Sequence, residues 1–327
     1  MVAPASRRLL LEEGGAVEVT RVAARVLVTG ASGLLGSKLT LLLAEKGYEV
    51  VAVYREHKTP GVESSTRNIK AVPLYLTDWI HLEDLILKVK PEVIVHAAAY
   101  TDVDGCERDK IQAWRINVEA TRSIVRTARV VNSHVVYIST DYVFDGEKGL
   151  YSEHDTPNPV NYYGLTKLIG EEIVKSSDLL YTIIRTSAVY GVGGSKKSFA
   201  EYIVEKLSRG EEVKALVDQY VSPTYNKLLA EAVAEVVEVK PLGVLHVAGP
   251  RLSRYEFARI TAEALSLPSS LVVEARIDEF KEKWIARRPR DSSLDTSRAR
   301  RILKTPFYDL NLALKEFKKE ATVLLGR

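Results

Sequence analysis

The sequence contains a single cysteine, Cys106, and this scarcity excludes an intramolecular disulfide bond. It also lacks any apolar run near the roughly 18 residues that a transmembrane helix needs, because charged residues soon interrupt the leucine-rich segment 39–44. The apolar stretch close to the N-terminus is too short for a signal peptide. These features are typical of a reducing interior, so we expect a cytoplasmic protein with no membrane partner.

Histidine is also scarce, with six residues and no spacing typical of a zinc site, so we expect no metal. The net charge of +3 argues against a nucleic-acid partner. Positive charge is nevertheless concentrated in residues 281–304, which carry nine Lys or Arg and three acids. This basic stretch is either an anion-binding patch or a solvated helix face. Glutamine and methionine number two and one, a bias typical of proteins from thermophiles.

Short apolar runs alternate with helical patterns over the first 185 of the 327 residues. The runs are β-branched and lack strict alternation, which predicts a parallel sheet buried on both faces. Six or more such units indicate a doubly wound α/β fold of the Rossmann type, followed by a second, smaller α/β substrate lobe. The predicted boundaries are an N-terminal extension of unknown role at 1–24, a dinucleotide-binding domain at 25–185 that is rejoined by about 216–249, and the smaller lobe at 186–215 and 250–327.

A glycine-rich turn follows the first predicted strand and opens the first predicted helix. It has the form G-x-x-G-x-x-G, a spacing that resembles the short-chain dehydrogenase/reductase superfamily. Glycines permit a tight turn and let the backbone approach a pyrophosphate, which the helix N-terminus also attracts. The turn therefore predicts dinucleotide binding, and the residues expected at the cofactor are Gly30, Ser32, Gly33, Leu34, Leu35 and Gly36.

The end of the second strand distinguishes NADP from NAD in folds of this kind. An acidic residue there binds the ribose 2′-hydroxyl of NAD, whereas this chain has Arg55 before Glu56. A guanidinium can pair bidentately with the 2′-phosphate of NADP. We therefore expect NADPH as the cofactor, and NAD is the alternative if Arg55 is merely exposed.

A Tyr-x-x-x-Lys pair places a phenol and an ammonium on the same face of a helix. The sequence contains three such pairs: Tyr54/Lys58, Tyr163/Lys167 and Tyr202/Lys206. Only Tyr163 follows a predicted strand that ends in hydroxyl residues, which would place Thr140 at the ligand-binding edge of the sheet. We expect Thr140 to hold a carbonyl group, Tyr163 to protonate it and Lys167 to orient the nicotinamide ribose. The ammonium is expected to lower the pKa of the phenol from its usual value of roughly 10.

Several segments resemble the dTDP-4-dehydrorhamnose reductases, a branch of the same superfamily. The similarity runs from about residue 25 to the C-terminus, and the tract STDYVFDG at 139–146 is quite specific to this branch. The other similar tracts are 96–104, 163–171, 185–191, 217–219, 222–224 and 288–289. The resemblance implies a Rossmann domain with a small substrate lobe. It also implies hydride transfer from NADPH to C4 of a keto-sugar, converting dTDP-4-dehydrorhamnose to dTDP-rhamnose, with Thr140, Tyr163 and Lys167 as the catalytic residues.

The resemblance assigns further residues to the cofactor side of the site. Asp78 would lie near the adenine. The small residues Ala97, Ala98 and Ala99 would let the cofactor pass close to the fourth strand, although a plain small-residue turn is the alternative. Asn117 resembles the helix asparagine that supports the active-site strand.

Tyr100, Tyr142 and Arg288 are expected to contact the sugar nucleotide, with Arg288 binding its diphosphate from within the basic stretch. Nucleotide-sugar dehydratases are a weaker match, because they carry Glu at the position of Tyr142. The reductases often carry Trp where this chain has Ala188, which leaves the exact sugar open.

The regulatory β subunits of methionine adenosyltransferase share nearly all these motifs, including the Leu-Pro-Ser-Ser at 267–270. Their main role is to bind a partner enzyme. Two functions therefore stay open: a reductase that binds a nucleotide sugar and forms a homodimer, and an NADP-binding regulatory subunit whose partner is methionine adenosyltransferase.

Overall fold

The computed structural model describes residues 23–56, 68–194 and 197–324, with side chains as far as residue 322. Most of the predicted N-terminal extension and the Lys58 of one Tyr-Lys pair lie outside these ranges. The described strands are β1 (Arg25–Thr29), β2 (Glu49–Tyr54), β3 (Ile69–Pro73), β4 (Val93–His96), β5 (His134–Thr140), β6 (Tyr181–Thr186), β7 (Val189–Tyr190), β8 (Val213–Leu216), β9 (Tyr220–Val221), β10 (Thr224–Tyr225), β11 (Gly243–His246), β12 (Leu252–Ser253) and β13 (Val272–Ala275).

Helices connect these strands and cover both faces of the main sheet. The described α-helices are α1 (Leu34–Glu45), α2 (Trp79–Val89), α3 (Val103–Arg108), α4 (Lys110–Trp114), α5 (Ala120–Val131), α6 (Tyr162–Lys175), α7 (Phe199–Ser208), α8 (Asn226–Val239), α9 (Arg254–Ala264), α10 (Ser297–Ile302) and α11 (Leu310–Leu324). A π-helical segment, Arg115–Glu119, joins α4 to α5. Over the described residues, none of these helices has the length and apolar character that crossing a membrane would require.

Seven parallel strands form the central sheet in the order β11-β6-β5-β4-β1-β2-β3. The strand order reverses at β1, which pairs with β2 on one side and β4 on the other. The register sets Thr29 opposite both Val53 and His96, so the carboxyl ends of these strands meet at one edge. Ligands of doubly wound folds bind at this edge, beside the point of reversal. The predicted Rossmann class is confirmed, and β11 rejoins the sheet against β6.

Each face of the sheet is covered by apolar helix faces. Leu39 and Leu43 of α1 are fully buried with Val233 of α8 on one face. Leu82 of α2 and Ile124 of α5 are fully buried on the other. Burial of each such side chain contributes about 1.5–3 kcal/mol, so the two-sided covering accounts for the β-branched, non-alternating strand sequences.

The smaller lobe contains α7, α9 and a two-stranded parallel sheet of β8 and β13. Its described buried apolar residues, such as Val213 and Phe257, belong to the same cluster as those of α1 and α8. Tyr190, which follows β6, lies 4.9 Å from Phe257 of α9 and 5.6 Å from Phe317 of α11, measured between ring centroids. These aromatic contacts join the lobe to the layer that covers the sheet, and the division at 185 stays a prediction about domain boundaries.

Most of the basic stretch is not helical, so its interpretation as one basic helix face is wrong. Residues 284–296 form an irregular segment, and α10 begins only at Ser297. The segment joins the two halves of the molecule by backbone hydrogen bonds. The Tyr220 amide donates to the Arg290 carbonyl at 2.7 Å, and the Tyr151 amide donates to the Ser293 carbonyl at 2.9 Å.

Candidate active site

A cleft of about 990 Å³ crosses the carboxyl edge of the central sheet. The glycine-rich turn after β1 bounds it on one side and residues of the smaller lobe bound it on the other. The predicted residues that line it are Gly30, Ser32, Gly33, Leu34, Leu35, Gly36, Arg55, Ala97, Ala98, Ala99, Tyr100, Thr140, Tyr142, Tyr163 and Lys167. The fold thus brings the predicted cofactor residues and the predicted catalytic residues into one cavity.

The glycine-rich turn requires glycine at two of its positions. Gly30 has a φ of +72°, and a Cβ there would lie 2.8 Å from the Ala98 backbone. A Cβ on Gly36 would lie 2.1 Å from the Gly30 carbonyl oxygen, which is closer than atoms can approach. Gly33 precedes α1, and no side chain caps that helix. The first N–H groups of α1 are therefore free to bind an anion, and the turn fits the pyrophosphate of a dinucleotide.

The end of β2 presents Arg55 to the cleft. Its side chain is 63% exposed and lies 3.2 Å from the Glu56 carboxylate. An exposed pair of this kind contributes about 0–1 kcal/mol, so it restrains the guanidinium only weakly. Arg55 is thus placed where a 2′-phosphate on the adenosine ribose would need a cation, and its role stays a prediction.

The catalytic hydroxyls lie at the end of β5 and the start of α6. Asn161 begins α6, because its side chain accepts a hydrogen bond from the Gly164 amide at 2.8 Å. This cap places Tyr163 in the first turn, where its ring packs edge-on to Tyr142 at 6.0 Å between centroids. Thr140 is the last residue of β5, and its side chain interacts with the phenol of Tyr163 closely enough to affect the pKa of that phenol.

A buried carboxylate, Asp141, supports Thr140. The Thr140 hydroxyl donates to Asp141 at 3.0 Å, and the hydroxyls of Ser187 and Ser292 donate to the same carboxylate at 2.7 and 2.5 Å. Burial raises the pKa of Asp141, and the three hydroxyl donors oppose that rise. Ser292 belongs to the irregular segment after Arg290, so this network ties the C-terminal part of the chain to the catalytic strand.

Lys167 lies one helical turn after Tyr163 and is 2% exposed. Its Nζ donates to the Ile138 carbonyl at 2.7 Å and lies 4.0 Å from the centroid of the Tyr137 ring. An ammonium has three donors, so two more remain for ribose hydroxyls after this bond. The geometry fits the predicted role of orienting the nicotinamide ribose.

The pKa values differ from the sequence-based expectation in a specific way. Burial raises the pKa of the Tyr163 phenol above 10, and the hydrogen bond with Thr140 opposes the rise. Burial lowers the pKa of Lys167 to about 7, while Glu171 acts to raise it. Tyr163 is therefore protonated at neutral pH, as a proton donor must be, and its pKa lies above the usual value, whereas the sequence predicted a lower one.

Two buried networks hold the catalytic strand and helix in position. Asn117, in the π-helical segment, accepts from the Tyr100 amide at 2.7 Å and donates to the Thr166 hydroxyl at 3.0 Å. It thus links the helix before α5 to α6. Glu171 of α6 forms a fully buried ion pair with Arg185 of β6 at 2.7 Å. Single π turns within helices are frequent at functional sites, as here beside Tyr100.

Two predicted site residues have other contacts and do not line the cleft. Asp78 is the N-cap of α2, where its carboxylate accepts from the His81 amide and lies 2.7 Å from the His81 ring nitrogen. Arg288 forms an ion pair with Asp104 at 2.9 Å and also donates to the Ala286 carbonyl at 3.1 Å. The neighbouring residue Thr77 does line the cleft, in the region where Asp78 was expected.

Sequence reasoning missed Arg254, which lines the cleft from the smaller lobe. Arg254 is the first residue of α9. It directly follows Ser253, which forms a capping box with Glu256. That pattern is visible in the sequence and predicts a helix start. No local pattern shows that this helix end faces the Rossmann half, because β12, which precedes it, pairs with β9 far along the chain.

A glycine turn that fits a dinucleotide, and a Tyr-Lys pair in the same cleft, define an NAD(P)-dependent oxidoreductase. The model of the RmlD substrate binding domain matches residues 24–323. The chain therefore belongs to the RmlD substrate-binding-domain family.

Comparison with known proteins gives relatives of two kinds. The chain is 36% identical to the spore coat polysaccharide biosynthesis protein SpsK of Bacillus subtilis (strain 168), over 79% of this chain and 85% of SpsK. It is 31% identical to the methionine adenosyltransferase 2 subunit beta of Bos taurus, over 86% of this chain and 84% of that one.

Solved structures confirm the fold. A hypothetical dTDP-4-dehydrorhamnose reductase from Sulfolobus tokodaii is 48% identical, with a TM-score of 0.79, over 89% of this chain and 98% of that one. The dTDP-4-dehydrorhamnose reductase of Bacillus anthracis str. Ames, solved in complex with NADP, is 28% identical with a TM-score of 0.79, over 91% of this chain and 100% of that one.

Proposed function

We propose that this protein reduces the C4 keto group of a nucleotide-linked deoxysugar with NADPH, converting dTDP-4-dehydrorhamnose to dTDP-rhamnose. The observation that carries the proposal is the meeting of Thr140, Tyr163 and Lys167 in the cleft that also contains the glycine-rich turn. Carbonyl reduction needs a hydride donor and a proton donor at one carbon–oxygen bond, and this cleft provides a place for both. NAD is the alternative cofactor.

The cofactor-binding residues fit NADPH. The turn from Gly30 to Gly36 and the uncapped start of α1 suit its pyrophosphate, and Arg55 suits its 2′-phosphate. Support also comes from the Bacillus anthracis relative, which was solved with NADP. Bound NADPH supplies the hydride that reduces the carbonyl carbon.

The residues of the chain supply the proton and the orientation. Tyr163 donates its phenolic proton to the carbonyl oxygen, which becomes the C4 hydroxyl as the hydride arrives at carbon. Its raised pKa keeps that proton in place at neutral pH. The Thr140 side chain interacts with that phenol, and its hydrogen bond to Asp141 holds it in position. Lys167, anchored to the Ile138 carbonyl, presents its remaining N–H donors to the ribose.

A second function is favoured by one finding, the similarity to the methionine adenosyltransferase 2 subunit beta over most of both chains. In that case the protein would be an NADP-binding regulatory subunit with weak catalysis and methionine adenosyltransferase as its partner. The cleft does not distinguish the two functions, because a regulatory subunit could retain the same binding residues.

The test is NADPH oxidation by the purified protein against a panel of nucleotide 4-keto-sugars. We expect turnover with dTDP-4-dehydrorhamnose and little with ordinary nucleotide sugars that lack the keto group. The absence of turnover with every 4-keto-sugar, together with a stable complex between the protein and methionine adenosyltransferase, would overturn the proposal in favour of the regulatory subunit. The Tyr163→Phe variant serves as the control for non-enzymatic oxidation.

A further inference from the structure

We propose that Arg254 binds the diphosphate of the sugar nucleotide, in place of Arg288, because Arg254 lines the same cleft as the glycine-rich turn and comes from the smaller lobe. The inference rests on the proposed function and adds a binding residue on the substrate side of the same site. It concerns the anionic part of the substrate and does not depend on which sugar is attached.

Arg254 is held in position by one buried residue, Gln219. The Arg254 amide donates to the Gln219 carbonyl at 3.0 Å, and its Nε donates to the Gln219 side-chain oxygen at 3.0 Å. The Gln219 amide group is itself fixed, because its Nε2 donates to the Pro289 carbonyl at 3.3 Å. The guanidinium carbon also lies 5.3 Å from the centroid of the Phe199 ring. The guanidinium is thus oriented before any ligand binds, which reduces the entropic cost of binding.

No carboxylate neutralises Arg254 within the described ranges 23–56, 68–194 and 197–322, since no described acid lies within 4.0 Å of its guanidinium. Arg254 acts to lower the pKa of the buried Asp141, but hydroxyl groups occupy the oxygens of that carboxylate. Its Nε is bound to Gln219 and its side chain interacts with the Tyr142 phenol, and N–H donors of the terminal nitrogens remain for a ligand. A half-buried cation that has no direct ion pair favours an anionic ligand.

Two arginines of the basic stretch, Arg288 and Arg290, each have a carboxylate partner. Arg288 is paired with Asp104 and is 13% exposed. Arg290 lies 3.7 Å from Asp218. The preceding loop repeats this arrangement, since Arg251 pairs with Asp291 at 2.7 Å. Each of these guanidiniums has a carboxylate partner, so they serve the contact between segments.

The position of Arg254 in the cleft favours the diphosphate of the substrate as its anionic ligand. The pyrophosphate of the cofactor would occupy the start of α1 on the opposite wall, so a second anion in the cleft belongs to the substrate. Burial raises the pKa of the Tyr142 phenol and the charge of Arg254 opposes that rise, so the two side chains lie close together, and Tyr142 packs against Tyr163. A nucleotide sugar with its carbonyl at Tyr163 would therefore extend past Tyr142 toward Arg254. The two terminal nitrogens match the spacing of phosphate oxygens.

The experiment is a calorimetric titration of the full-length protein with thymidine diphosphate, and separately with thymidine and with NADPH. Arg254→Ala is expected to weaken thymidine diphosphate binding about 10- to 100-fold, the usual scale for loss of a charge-assisted hydrogen bond. Thymidine and NADPH affinities should not change. Arg254→Lys should retain part of the affinity, since it keeps the charge without the planar fork. The matched control is Arg259→Ala on the same helix, which removes an exposed arginine paired with Glu263 at 3.1 Å.

The outcomes separate this inference from the proposed function. Unchanged thymidine diphosphate affinity in Arg254→Ala, or no binding by the intact protein, would overturn the inference even if the protein reduces a 4-keto-sugar. Arginine-dependent binding without turnover on any keto-sugar would support the inference and overturn the proposed reaction. Equal losses of NADPH and thymidine diphosphate affinity in Arg254→Ala would indicate a folding defect in that variant, and Arg254→Lys then decides the matter. The same equal losses in Arg254→Lys would overturn the inference, and a loss confined to thymidine diphosphate would support it.

Discussion

The two walls of the cleft are built in different ways. The cofactor wall comprises segments 30–36, 53–56 and 97–99, each of which directly continues a strand of the central sheet. The substrate wall comprises Tyr142, Ala188, Val221 and Arg254, which come from four separated parts of the chain. A strand followed by a glycine turn determines its own geometry, whereas the substrate wall depends on how distant segments pack. The chemistry of the first wall is therefore set locally, and that of the second is set by tertiary structure.

The strongest test of this comparison concerns Tyr163, which lies where the walls meet. Tyr163→Phe removes the proton donor and leaves the ring in place, so turnover should fall on the order of 10²–10⁴-fold while NADPH affinity is unchanged. Stopped-flow NADPH oxidation and a fluorescence titration measure the two quantities. Tyr202→Phe changes the tyrosine of another Tyr-Lys pair, 40% exposed, and should have no effect. Normal turnover in Tyr163→Phe would contradict the mechanism.

A second test affects the cofactor wall alone. Gly36→Ala would place a Cβ 2.1 Å from the Gly30 carbonyl, and relief of this clash must distort the turn. Overpacking costs about 1–3 kcal/mol, so NADPH affinity should fall up to about 100-fold. Gly33→Ala is the matched control, because its Cβ would lie 3.2 Å from the same oxygen and needs only a small shift. If thymidine diphosphate affinity falls as far as NADPH affinity in Gly36→Ala, the walls are not independent.

A smaller effect is expected at Arg55. Because the side chain is exposed and pairs weakly with Glu56, Arg55→Ala should reduce the preference for NADPH over NADH by about tenfold, or roughly 1.5 kcal/mol. Parallel titrations with both cofactors measure the preference, and raising the salt concentration should lower the NADPH affinity of the intact protein. Equal affinities of the intact protein for NADPH and NADH would show that Arg55 has no such role.

The last expected effect is on stability and concerns Lys167. Its folded pKa of about 7 lies below the unfolded value of about 10.5, so the unfolded state binds more protons between these values. The lysine therefore contributes less stability as pH falls from about 10.5 to about 7, and little further change follows below that. The stability of Lys167→Met relative to the wild type should rise as pH falls over this range, as measured in denaturant titrations. A difference that does not vary with pH would contradict the lowered pKa of the buried lysine.

The sequence allowed the fold class and the cofactor wall to be predicted, since strand runs and glycine spacing are local features. It also allowed Tyr163 to be chosen among three tyrosines, because Thr140 ends a strand and strand ends converge. The pKa of Tyr163 could not be predicted from the sequence, because the burial of the phenol and the hydrogen bond from Lys167 to the Ile138 carbonyl depend on tertiary structure.

The substrate wall could not be predicted for the same reason. Arg288 lies in a stretch whose basic composition is typical of an anion-binding site. Its guanidinium nevertheless pairs with Asp104, which is 184 residues away in the sequence. Arg254 lies between charges of both signs, Arg251 and Glu256, so the local charge pattern does not single it out, and the pairing of β12 with β9 helps to bring it to the cleft. Local charge density was thus a poor guide to which arginine lines the cleft.

The most direct measurement of the central claim is the fate of the transferred hydrogen. The protein is incubated with dTDP-4-dehydrorhamnose and NADPH that carries deuterium at both hydrogen positions of the nicotinamide C4, and the product is analysed by mass spectrometry and NMR. The account predicts one deuterium at C4 of dTDP-rhamnose from the wild type and none from Tyr163→Phe over the same time. A wild-type protein that binds NADPH but leaves the sugar unlabelled and unreduced would contradict it.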